Sequence, residues 1–87
     1  MDAIHDANAM CEGAARAFSR ELGVEVLWVN KFDRETNPLR EVGYFALGAN
    51  PGKKIAERCI KDFRIPEEAK RQLTAVYELL KREVLGG

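Results

Sequence analysis

Few side chains in this sequence can do chemistry, and their spacing keeps them apart. General acid–base or nucleophilic work needs a nucleophile and a base within hydrogen-bond reach. The one histidine, His5, sits near the N-terminus, and the one serine, Ser19, falls on the surface of a helical stretch. A metal site would have to join His5, Cys11 and Cys59 to a carboxylate. His5 and Cys11 are six residues apart, about 600° round an ideal helix and so on different faces. Glu67 and Glu68 suit the positive end of a helix better than an acid and base pair. No catalytic residue, metal or cofactor is therefore expected.

The remaining polar chemistry is cationic. Gly48-Ala49-Asn50-Pro51-Gly52-Lys53-Lys54 is a glycine-rich turn whose backbone N–H groups and two lysines could hold an anion. It is not a P-loop, which needs four residues between its glycines and a hydroxyl after the lysine; here there are three, and Lys54 follows. Lys53-Lys54-Ile55-Ala56 resembles the Lys-Lys-x-Ala sequence with which double-stranded RNA-binding domains open their final helix onto phosphates. That resemblance covers four residues. It implies three strands and a chain ending with that helix, whereas this sequence shows two clear strands and continues for some twenty residues more. It marks Lys53, Lys54, Arg58 and Lys61 as the anion- or nucleic-acid-binding set, with Lys70 and Arg71 beside them. Glu57, Asp62, Glu67 and Glu68 interleave these cations, so a solvated helix face is the favoured reading.

Composition bounds the rest. The 87 residues make one domain of modest core, with 46% apolar and 32% charged residues. Net charge is zero but uneven: residues 1–44 carry five Lys/Arg against eight Asp/Glu, and residues 45–87 carry nine against six. Binding through phosphates usually brings net basic charge, which this chain lacks. The asymmetry instead suits head-to-tail self-contact. Two cysteines 48 positions apart form neither a redox pair nor a disulfide framework. With an acidic start and no membrane-length apolar run, a cytoplasmic protein is expected.

The elements that must position these groups follow from periodicity. Ile4, Ala7, Cys11, Ala14, Phe18 and Leu22 recur at helical steps, with Asp2 as cap and Gly23 as terminator. Residues 24–29 and 42–47 are β-branched and aromatic and read as a hairpin. Asn50 and Pro51 open an expected helix carrying Ile55, Ala56, Cys59, Ile60 and Phe63. Arg64-Ile65-Pro66 breaks it, and a last helix with Ala69, Leu73, Val76, Leu80 and Val84 runs to Gly86. The expectation is a small single α+β domain in the order α-β-β-α-α, an antiparallel hairpin packed by helices.

Two strands alone are marginal and leave open edges, so either a third strand or a second subunit must complete the sheet, and the second subunit is favoured. The expected function is a non-enzymatic interaction module, a homodimer or protein binder, with Trp28, Tyr44, Leu73, Val76 and Leu80 as contacts. Trp28, Phe32, Tyr44 and Phe45 serve equally as core. A small nucleic-acid-binding protein is the alternative, and no membrane partner is expected.

Overall fold

A computed structural model describes residues 3–30, 42–48 and 54–86, with side chains from Asp6 onward in the first helix. That helix, α1, spans Ala3–Leu22. The foreseen stripe faces inward: Ala7, Cys11 and Ala15 are buried, and Ala14, Phe18 and Leu22 pack beside them. Gly23 ends the helix at φ +70°, its N–H donating to Ser19 O at 2.9 Å. Only glycine adopts that conformation without steric cost. Ser19 then ties the helix to the sheet, because its Oγ accepts the Val26 N–H at 2.8 Å.

Strands β1 (Val26–Asn30) and β2 (Val42–Leu47) form the expected antiparallel ladder, Trp28 opposite Phe45 and Asn30 opposite Gly43. Alternation sends Val26, Trp28, Phe45 and Leu47 toward the helices, while Leu27, Val29, Tyr44 and Ala46 take the outer face. Trp28 anchors the inner layer. Its ring lies 4.7 Å from that of Phe45, and its indole N–H donates to Asn8 Oδ1 on α1 at 2.6 Å. Gly43 makes room for it, since a Cβ there would stand 2.2 Å from the indole.

The expected helix over residues 54–63 is a strand followed by a tight turn. β3 (Lys54–Cys59) pairs antiparallel with β2, giving a three-stranded sheet in the order β1-β2-β3. A 3-10 turn, Ile60–Arg64, follows. Lys, Ala, Glu and Arg are helix formers, and the spacing of Ile55, Ala56, Cys59, Ile60 and Phe63 imitates a helical stripe. Pairing along β2 overrides that local preference. Ala56 is the strand's buried contact opposite Phe45, and a register shift at Phe45/Ala46 accommodates Ile55. Ile60 and Phe63, three apart, fall on one face of the 3-10 turn and are both buried. Asn50 and Pro51, the expected helix start, lie outside the described residues.

The observed order is thus α-β-β-β-α, and the third strand performs within one chain the completion that had been assigned to a second subunit. The α+β class and the hairpin packed by helices stand as expected. Ile65 is extended at φ −104°, ψ 114°, as a residue before proline should be, and α2 (Pro66–Gly86) begins there. Phe45, Phe63, Ile60, Leu80, Val76 and Cys11 form the sealed centre between helices and sheet. Among the described residues, no helix is long and apolar enough to cross a membrane.

Candidate functional site

The strand at 54–59 disperses the expected cationic face. Lys53, with most of the glycine-rich turn, lies outside the described residues. Lys54 is exposed on the outer face of the sheet, where it pairs with Glu57 at 2.9 Å and sits 5.6 Å from the centre of the Tyr44 ring. Arg58 pairs opposite Gly43 in the ladder, which puts it on the other face. Its Nη1 donates to Glu57 O at 2.8 Å, and its buried Nε has no hydrogen-bond partner. Lys61 is exposed on the 3-10 turn. Lys54, Arg58 and Lys61 therefore form no helical row, because alternation along a strand replaces the 100° step that would have aligned them.

The three strands followed by a final helix agree with the count that the RNA-binding resemblance implies, yet the Lys-Lys-x-Ala sequence is not at the start of that helix. α2 opens instead on Pro66, Glu67 and Glu68. Glu68 is engaged by Arg71 at 2.6 Å and by Gln72 Nε2 at 2.7 Å. Two carboxylates at a helix N-terminus complement its dipole and repel phosphate.

The residues expected at a partner surface also divide. Val76 and Leu80 are fully buried and present nothing outside. Trp28 is packed beneath α1, and Tyr44 lies on the outer sheet face beside Lys54. Leu73 alone reaches the groove between the helices. Cys11 is buried, and burial with the nearby Glu12 charge pushes its thiol up to about 12, which leaves it protonated and a poor nucleophile or metal ligand. Both cysteines are free. Among the described residues no three His, Cys, Asp or Glu side chains gather as a metal set.

The site that the fold does build is a trough between α1 and α2. Asp6, Ala7 and Met10 form one wall, Ala69, Lys70 and Leu73 the other, and Phe63 the floor; its volume is about 550 Å³. It continues past Leu73 toward Phe18 and Tyr77, whose rings close that end at 5.5 Å. The small side chains of Ala7 and Ala69, both buried, leave this space unfilled. Met10, 41% exposed, extends the apolar surface to its mouth. Charge is confined to the rim. An apolar bed with a charged rim binds by excluding water from side chains laid into it, and holds no group suited to bond-making.

Sequence reasoning found Leu73 and missed the rest. The available signal was Met10, an apolar residue on the flank of the α1 stripe that the stripe itself does not need. Comparison with known proteins gives no match to a family model, to a curated protein or to a solved structure.

Proposed function

We propose that this chain is a non-enzymatic interaction module whose working surface is the trough between α1 and α2, where an apolar surface of a protein partner is bound. One observation carries the reading: an apolar bed open to solvent, with the large side chain of Met10 exposed at its mouth. Apolar area left in water at one contiguous place marks an interaction site more often than scattered exposure does. Methionine suits such a surface because its unbranched thioether adapts to whatever shape it meets. The protonated, buried Cys11 thiol supports the non-enzymatic side of the proposal.

The environment-sensitive dye bis-ANS reports on the trough directly. The wild-type protein is expected to bind it, and Leu73→Glu to weaken that binding by at least about tenfold, the equivalent of losing one large apolar contact. Far-UV circular dichroism of Leu73→Glu should match the wild type. Dye binding that survives Leu73→Glu unchanged would refute the trough as the working surface. Nucleic acid is the competing class: retention of duplex DNA or RNA at low salt, abolished by Lys54→Glu, would replace this reading with that one.

A further inference from the structure

Among the described residues β1 and β3 are the edges of the sheet, and an edge strand presents N–H and C=O groups on which another strand can pair. The two edges carry unequal risk. β3 bears Lys54, Glu57 and Arg58, a register shift interrupts its ladder at Phe45/Ala46, and Arg58 Nη1 donates to the Glu57 carbonyl at 2.8 Å. Charges and bulges of this kind discourage strand addition. β1, by contrast, reads Val-Leu-Trp-Val-Asn, β-prone and uncharged, with an unbroken register. Such a segment on an open edge is the sequence type that pairs with copies of itself.

The register shows which groups of β1 face outward. Gly48 donates to Glu25 O at 2.8 Å, so alternation makes Leu27 with Ala46 and Val29 with Tyr44 the hydrogen-bonded pairs. Val26, Trp28 and Asn30 therefore turn their backbone groups away from β2. At the first of these positions stands Ser19, from the last turn of α1. Its Oγ accepts the Val26 N–H at 2.8 Å, and its hydroxyl proton lies between Ala15 O at 2.9 Å and Val26 O at 3.3 Å. One side chain thus engages both outward groups of Val26. A hydroxyl within a helix competes with that helix's own backbone bonds, so what this serine contributes lies at the strand.

We propose that Ser19 is a latch on the β1 edge: by holding Val26 against the end of α1, it keeps the uncharged strand from pairing edge to edge with β1 of another copy. An added antiparallel strand bonds through successive outward residues, each giving two bonds. With Val26 engaged, one of the three outward steps in a five-residue strand is closed, and an oxygen 2.8 Å from its nitrogen occupies the place of an incoming carbonyl. The inward stripe of Ala7, Cys11 and Ala15 holds α1 on the core without that hydroxyl, so the edge opens while the fold persists.

The test sets Ser19→Ala, which removes the latch, against Gly43→Ala, which destabilises the central strand and leaves both edges as they are. Wild type and variants are incubated at urea concentrations that give a common unfolding free energy, and association is followed by thioflavin T fluorescence and sedimentation velocity. Ser19→Ala should associate at least about fivefold faster than Gly43→Ala, the factor by which one lost hydrogen bond raises the population of the open edge. Adding a charge to the strand in Ser19→Ala/Val29→Lys should return the rate to that of the wild type. Arg58→Met should stay within about twofold of the wild type, because charge and bulge still blunt β3. Native-state hydrogen exchange localises the event: in Ser19→Ala the Val26 amide should exchange at least about tenfold faster, with the Leu27 amide, bonded within the ladder, unchanged. Equal rates for Ser19→Ala and Gly43→Ala would tie association to global unfolding and overturn the latch. A wild type or Arg58→Met as fast as Ser19→Ala, a double variant that is not rescued, or a Val26 amide indifferent to the substitution would overturn it equally.

Discussion

The two helices present apolar side chains on two sides, and only one side is sealed. Toward the sheet, Phe45, Ile60, Phe63, Val76 and Leu80 interdigitate with essentially no exposure, and beside them the Trp28 indole nitrogen is satisfied by Asn8. Toward solvent, Met10 and Leu73 flank a gap that Ala7 and Ala69 are too small to fill. Similar residue types produce a core in one place and a groove in the other. Side-chain volume decides between them: aromatic and branched residues fill the inner layer to close packing, whereas alanines opposite alanines leave the outer one hollow. Chemistry differs accordingly, since the inner layer silences a thiol and the outer one offers a surface.

The two cysteines should show the largest contrast between interior and surface. With its thiol at about 12 against an ordinary 9.0, Cys11 carries roughly one thiolate in ten thousand molecules at pH 8. Half-buried Cys59, at the end of β3, is held in no such sealed layer. An aromatic disulfide reagent at pH 8 is expected to label one thiol per native chain, Cys59, at least about a hundredfold faster than the second. Equal rates would mean that the inner layer opens readily. The sign of the pH dependence follows from the same shift. A thiol whose value is raised in the fold favours the native state fully below its unfolded value near 9, and loses that contribution as pH rises from 9 toward 12. Thermal stability should accordingly fall across that alkaline interval in the wild type, and fall less in Cys11→Ala.

Gly43 tests how tightly the inner layer is closed. A methyl group there would meet three indole atoms of Trp28 at 2.2, 2.3 and 2.9 Å, and that ring is held by both Phe45 and Asn8. Overpacking of this kind costs about 1–3 kcal/mol. Gly43→Ala should therefore lower the urea midpoint clearly and shift Trp28 fluorescence, with the trough's dye binding preserved in the folded fraction. An unchanged midpoint would show that the layer has slack after all.

How much of this was legible depended on whether local preference and tertiary context agreed. They agree in α1, where Ala7, Cys11, Ala14 and Phe18 mark the inward stripe and Gly23 the stop, and in α2 from Pro66 onward. They agree in β1 and β2 as well. They conflict at Lys54–Cys59, where helix-forming residues are drafted into a strand because β2 offers an unpaired edge. That single conflict hid the third strand, aligned Lys54, Arg58 and Lys61, which are in fact dispersed, and made a second subunit look necessary for the sheet. The trough was invisible for a different reason. A stripe shows which side of each helix is buried, but the relative placement of α1 and α2 is set by Phe63 and Ile60 in the 3-10 turn, and Met10 joins Leu73 only once that placement is fixed.

Gly13 gives the smallest effect and the one of opposite sign. It lies within α1, away from the sealed stripe, and a Cβ there would find only the end of the Arg16 side chain at 3.8 Å, an ordinary contact. Glycine inside a helix costs about 0.5–1 kcal/mol relative to alanine, through the backbone freedom it gives up on folding. Gly13→Ala should thus stabilise the domain by about that amount, raising the urea midpoint without altering its slope. The same substitution at two glycines then moves stability in opposite directions, and the difference reports packing rather than propensity. Were Gly13→Ala also to destabilise, the outer side of α1 would have to be crowded, and a helix crowded on that side leaves no open wall for a trough.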